Sequence, residues 1–262
     1  MDRILGLSTG ALHKTNLHPV DIGVVETCLG LGCNAIEFNI HSFTMHAVFL
    51  NSFDFGDFLK INGKKFKHIS VHLPCDIRYT PLKTPLSDDH ETQRKRFLEA
   101  FENDSFFMFY LADDFFKKNK TAYFLVHPDL VEDWSDFYDS EFTTAIENMD
   151  FRKKSFQSED SLLEFFTEHP DFKFVLDVNH LISNGRKFSD IKKFIRMFSD
   201  RLVGVHLSGF EKYHEPLFKT KQHQFVEELI DLPPNIPIII ESVFDSISDA
   251  EKELAYVKNI LD

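Results

Sequence analysis

Eight short apolar or β-branched runs recur along the 262 residues, each followed by a polar loop and a stretch of helical spacing. They fall at 4–8, 35–39, 68–72, 122–127, 142–147, 173–177, 202–206 and 236–241. Several are apolar almost without interruption, as in Phe174-Val175-Leu176 and Ile238-Ile239-Ile240. Strands buried on both faces read this way, whereas a sheet with one wet face alternates, so the pattern favours a parallel sheet. Eight strands alternating with helices predict an α/β fold, a single (β/α)8 TIM barrel spanning 1–262 as one domain. A doubly wound sheet would carry a glycine-rich turn after an early strand, and Gly6-Leu7-Ser8-Thr9-Gly10 does not have the G-x-G-x-x-G spacing.

The intervening segments supply the helices. Pro19 stands where one can begin, with Ile22, Val25 and Leu29 following at helical spacing. The longest is expected over 90–120, with Phe97, Phe101, Met108, Leu111 and Phe115 on its apolar positions. The last is expected to open on a capping box, Ser248-Asp249-Ala250-Glu251, and to run through Leu254, Val257 and Leu261. Pro233-Pro234 is expected to stop the helix before the eighth strand. The best long loop, 80–89, follows strand 3 on the face where barrels build their sites.

Composition narrows the partners. Charged residues make up 27% and no run of about 18 apolar residues exists, so no spanning helix is expected and no membrane partner. A net charge of −13 disfavours a nucleic-acid partner held by phosphate neutralisation. The basic runs Lys64-Lys65-Phe66-Lys67, Arg94-Lys95-Arg96, 117–120 and 152–154 read as solvated faces. Three cysteines, Cys28, Cys33 and Cys75, are odd in number and lack Cys-x-x-Cys spacing. Neither a disulfide scaffold nor a zinc ribbon is expected, and a reducing cytoplasm fits them. The first ten residues lack the features of a signal peptide. Thirty phenylalanines against six tyrosines and one tryptophan read as a Phe-rich core.

The chemistry lies at the strand ends. Strands 3 to 8 finish on His72, His127, Glu147, Asp177, His206 and Glu241. One histidine at a strand end is usually a hydrogen-bonded rim residue, and one acid there is often a helix cap. Six in succession, converging on a barrel axis, need partners to offset their burial. Carboxylates and imidazoles meeting at a barrel mouth form a ligand set for a divalent metal: Mn, Zn, Co, Mg or Fe. Histidines 13, 18, 41, 46, 68, 90, 169 and 223 take the structural reading, with His41 and His46 in reach of the substrate side.

These strand ends resemble the xylose isomerase-like TIM barrels. That superfamily includes sugar and sugar-phosphate isomerases and epimerases, the endonuclease IV type of apurinic-site nuclease, and multinuclear non-haem iron oxidases. The motifs are Leu176-Asp177-Val178-Asn179-His180, Val205-His206-Leu207-Ser208 with His214-Glu215-Pro216-Leu217, and Ile240-Glu241. The resemblance implies one core metal on Glu147, Asp177, His206 and Glu241, which stand 30, 29 and 35 residues apart. In the epimerase branch the two glutamates also move the proton, through a metal-bound enediolate. His180 would then contact substrate oxygens and Lys212 would be a basic substrate contact. The nuclease branch implies two or three metals: one on His72, His127 and Glu147, one on the core set, and one on His180, His214 and an aspartate. Lys212 stands at that aspartate's position, which counts against the third site. The oxidase branch fits Glu147-Asn148 and His206-Leu207-Ser208-Gly209, but usually carries Asn where this chain has His180. The expected function is a divalent-metal-dependent isomerase or epimerase of a sugar-like small molecule. An endonuclease IV-like phosphodiesterase comes second and the iron oxidase third. A non-catalytic binding barrel comes last, since no core ligand is missing.

Overall fold

A computed structural model describes residues 3–15, 17, 22–39, 62–73, 123–132, 134–138, 143–210 and 214–262. The expected helix over 90–120, the loop 80–89, Pro19, His18, His41, His46, Cys75 and Lys212 lie outside the described residues. In chain order the main elements are β1 (Leu5–Ser8), α1 (Ile22–Gly30), β2 (Ala35–Asn39), β3 (His68–His72), β4 (Phe124–Val126), α2 (Ser135–Tyr138) and β5 (Thr144–Glu147). There follow α3 (Glu159–Glu168), β6 (Lys173–Asp177), α4 (Val178–Ser183), α5 (Ser189–Met197), β7 (Leu202–Leu207), α6 (Leu217–Thr220), α7 (His223–Glu227), β8 (Ile238–Ile240) and α8 (Ile247–Leu261). Each strand pairs in parallel with its successor, and β8 pairs with β1, closing the barrel. The expected (β/α)8 architecture is the one observed.

The apolar runs become strands because both of their faces are buried. One face packs on the helices, where Phe38, Phe124, Phe174, Phe194, Phe198 and Phe225 belong to one continuous core. The other face fills the barrel with two smaller clusters: Tyr123, Leu125, Ala145 and Val175, and Ile4, Ala35 and Ile239. Most of the described phenylalanines are core residues, as their number suggests, with Phe151 and Phe188 exposed. Gly204 makes the floor possible, because a Cβ there would lie 2.4 Å from the Tyr123 hydroxyl oxygen. Cys28 and Cys33 are buried free thiols. Among the described residues no helix is long and apolar enough to cross a membrane.

Helix α8 begins earlier than the sequence suggests. Its cap is Ser246, whose Oγ accepts from the Asp249 N–H, so the box is Ser246 to Asp249 and not Ser248 to Glu251. Ser246 is extended (φ −155°, ψ 159°), which aims its side chain at the open first turn, whereas Ser248 already lies inside the helix. Ala250, Leu254, Val257 and Leu261 then face the core at helical spacing. Helix α7 ends at Glu227, so Pro233-Pro234 sits in the turn that leads to β8 and not at the helix end.

Candidate metal centre

Register brings the strand-end residues together. Asp177 pairs with His206, and His206 pairs with Ile239. Glu241 stands two residues past Ile239 and so faces the same side of the sheet. Likewise Glu147 pairs with Val175, two residues before Asp177, and His72 pairs with Leu125, two before His127. All six therefore project into the barrel mouth.

Glu147 is the hub. Its Oε1 lies 2.7 Å from His127 Nε2 and 3.7 Å from His72 Nε2, and its Oε2 lies 3.4 Å from His206 Nδ1. The same nitrogen of His206 is 3.4 Å from Glu241 Oε1. Asp177 serves two roles through its two oxygens. Oδ1 accepts from the His180 N–H and caps α4, as the helix-cap reading of a strand-end acid expects. Oδ2 remains buried without a hydrogen-bond partner. The Asn148 side chain bonds both the N–H and the C=O of Asp177, locking the end of β6 to that of β5.

The chemistry of this donor set fits a divalent cation. Glu147 Oε2, Asp177 Oδ2 and His206 Nδ1 are all buried and lack hydrogen-bond partners. Glu147, Asp177 and His206 each offer one ligand atom within 4.8 Å of the others. Two further groups meet the same test: His72, His127 and Glu147, and Glu37, His206 and Glu241. An ion gives such orphaned atoms the partner they otherwise lack.

Glu37 is the site residue that strand-end reasoning missed. It lies in the middle of β2, fully buried, with both carboxylate oxygens 3.1 Å from His206 Nε2 and one accepting from the Ser70 hydroxyl. Its signal in the sequence is a lone acid inside the apolar run Ala35-Ile36-Glu37-Phe38. The arrangement keeps a proton on Nε2, aimed at Glu37, and leaves Nδ1 facing Glu147 and Glu241 as the nitrogen that would bind an ion. A carboxylate behind a ligating histidine sets tautomer and orientation in this way.

The outer part of the mouth holds His180 and His214. His180 Nδ1 lies 2.9 Å from the Asn148 carbonyl oxygen, to which it donates, and 3.7 Å from Asp177 Oδ2. The rings of His180 and His214 are 6.3 Å apart, and His214 Nδ1 is 2.9 Å from Ser208 Oγ. Among the described residues no group of three metal-competent side chains includes either histidine. The nearby buried acid, Asp150, bonds the guanidinium of Arg152 through both oxygens. The structure therefore brings Glu147, Asp177 and His206 within reach of one ion, places Glu241 in a group with Glu37 and His206 instead, and gathers His72, His127 and Glu147; among the described residues no set forms around His180 and His214. His68 takes its structural role, buried 5.2 Å from the Tyr123 ring and driven by that burial to a pKa of about 4.

The protonation states separate sharply. Burial pushes the Glu147 carboxyl up, but His127, His206 and His72 outweigh it and hold the group well below the usual range. Burial raises Glu241 to about 7; His206 opposes the rise, and Asp177, Glu37 and Glu147 reinforce it. Burial disfavours the His72 imidazolium, yet Glu147 and the other acids carry it up to about 9. His206 rises well above the ordinary range on the charges of Glu241 and Glu37, against its burial. Burial, with His180 beside it, drives His214 down to about 3.

A closed parallel barrel whose mouth gathers buried carboxylates and imidazoles defines a metal-competent (β/α)8 protein. No protein-family model and no curated protein matches the chain. Solved structures do match. The D-psicose 3-epimerase crystallised with D-fructose aligns over 98% of this chain and 99% of its own at TM-score 0.62 and 14% identity. The probable 3-DHS dehydratase AsbF of Bacillus anthracis, involved in petrobactin synthesis, aligns over 100% and 97% at 0.61 and 15%. The IOLI protein with a binding zinc atom aligns over 98% and 97% at 0.64 and 11%. The chain has the fold of the xylose isomerase-like TIM barrels.

Proposed function

We propose that this chain is a divalent-metal-dependent isomerase or epimerase of a sugar-like small molecule. The observation that carries the reading is the pair Glu147 and Glu241, each 3.4 Å from His206 Nδ1 and shifted in opposite directions, Glu147 down by its histidines and Glu241 up by burial. Two carboxyls whose environments push them apart are suited to act as base and acid. Glu147, kept ionised by its histidines, takes the proton from the carbon beside the substrate carbonyl. Glu241, at the end of the last strand, returns a proton drawn from solvent to that carbon. Glu147, Asp177, His206 and Glu241 would hold the ion, which when bound polarises the carbonyl oxygen. His180, fixed by the Asn148 carbonyl and the α4 cap, orients substrate hydroxyls. The fold likeness to the D-psicose 3-epimerase supports this reading.

The test is exchange of substrate C–H for solvent deuterium over a panel of ketoses with metal-loaded protein. Exchange that chelation abolishes is expected; its absence over the whole panel overturns the reading. The His72–His127–Glu147 group favours a second reading, a two-metal phosphodiesterase. It predicts chelator-sensitive cleavage of an abasic-site duplex and two ions per chain.

A further inference from the structure

The apolar stripe of α8 carries one acid. Glu253 stands among Ala250, Leu254 and Val257, is fully buried, and meets three donors with its two oxygens. Oε1 accepts the Leu217 N–H at 2.8 Å and the Ser242 hydroxyl at 2.9 Å, and Oε2 accepts the Phe218 N–H at 2.9 Å. Burial pushes the carboxyl up, while these donors and the Lys219 charge pull it down. Burying a carboxylate is costly, and hydrogen bonds offset the cost only while every one of them is made. An apolar side chain would serve packing alone at least as well, so this acid does something besides packing.

What Glu253 joins is the mouth. Leu217 and Phe218 open α6, directly after His214-Glu215-Pro216, and Ser242 follows Glu241. His214 has φ 58°, a left-handed backbone that a residue with a Cβ keeps only where its surroundings impose it. Its carbonyl accepts the Val243 N–H at 2.8 Å, and the next carbonyl, of Glu215, accepts the Gly209 N–H at 2.7 Å. Glu241 donates its own N–H to the Leu207 carbonyl at 3.0 Å. The candidate ligand is thus fixed on one side by the strand ladder and on the other, through Ser242, by Glu253. Lys219 spans the same elements to Asp245 at 3.1 Å and Asp249 at 2.8 Å, but from the solvent side, where such pairs contribute little. The buried carboxylate is the stronger tie.

Resting on the metal-dependent reading, we propose that Glu253 is a positioning residue of the metal centre. It fastens the segment from His214 to Phe218 onto the end of β8, and so holds the Glu241 carboxylate in the mouth.

The test uses the full chain loaded with cobalt(II). Affinity is read by chelator competition, and the visible absorption bands of the bound ion report its ligand geometry, both independently of turnover. Glu253→Gln keeps the shape but sets an amide N–H against one of the three donors. It is expected to weaken cobalt binding about tenfold or more and to shift the bands. Ser242→Ala, which spares the α6 bonds, is expected to give part of both changes. Val257→Ala truncates the same face of α8 one turn on and is expected to keep wild-type affinity and bands, however far it lowers Tm. Unchanged affinity and bands in both Glu253→Gln and Ser242→Ala overturn the proposal. So does a Val257→Ala protein whose cobalt binding falls as far as that of Glu253→Gln. A wild-type chain that binds no cobalt overturns the metal reading and the proposal with it. Cobalt binding that responds to Glu253, without deuterium exchange in any ketose, upholds the Glu253 assignment and overturns the isomerase reading. Should Glu253→Gln fail to fold, Ser242→Ala carries the comparison.

Discussion

At the scale of the residue, the site is a set of buried groups that satisfy one another incompletely. Glu147 binds three histidines yet leaves Oε2 without a hydrogen bond, and Asp177 divides its oxygens between a helix cap and the mouth. Glu147→Gln and Glu241→Gln are each expected to reduce deuterium exchange by at least about 10²-fold while the far-ultraviolet circular dichroism stays native. Wild-type exchange in both variants would contradict their assigned roles. Glu37 acts one step back, on His206 Nε2. Glu37→Gln is expected to weaken metal binding about 10- to 100-fold by chelator competition, with Glu37→Asp recovering part of it. Equal affinity in wild type and Glu37→Gln would remove Glu37 from the centre. The six strand-end candidates were legible in sequence because each closes an apolar run. Glu37 was not, because strand-end reasoning passes over an acid in the middle of a strand.

At the scale of the element, the six units from β3 to β8 each set one candidate ligand at a height fixed by strand pairing. Five of the eight strand cores were legible to within a residue at either end, since β-branched runs buried on two faces have few alternatives. Helix starts were less so, because a cap is decided by the backbone angle of one residue: Ser246 is extended and Ser248 is helical, though both are serines beside acids. Ser246→Ala is therefore expected to cost about 1 kcal/mol in denaturant unfolding, and Ser248→Ala much less. The reverse order would restore the cap to Ser248. Inside the barrel, Gly204→Ala places a methyl carbon against the Tyr123 hydroxyl and is expected to destabilise by about 1–3 kcal/mol. Tyr123→Phe in the same chain should return part of the loss.

At the scale of the whole molecule, closure of the barrel makes the charge cluster possible, since eight strands converge on one axis and water is excluded below it. The protein alone holds protons on His72, His206 and, near neutrality, Glu241. Ligands must give up protons to a metal, so ion binding is expected to release them and to tighten as pH rises through about 7. Calorimetry in two buffers of different ionisation enthalpy reads this directly. Equal apparent enthalpies and a pH-independent affinity between about 6 and 8 would contradict it. The central claim, that the strand-end carboxylates and imidazoles are a metal centre, is tested most directly by metal content. The measurement is inductively coupled plasma mass spectrometry on protein purified without a metal column. The account predicts one divalent ion per chain, with the loss of Asp177 in Asp177→Ala emptying the site. Protein that arrives without metal and takes up none from manganese, cobalt, zinc or magnesium solutions would contradict it.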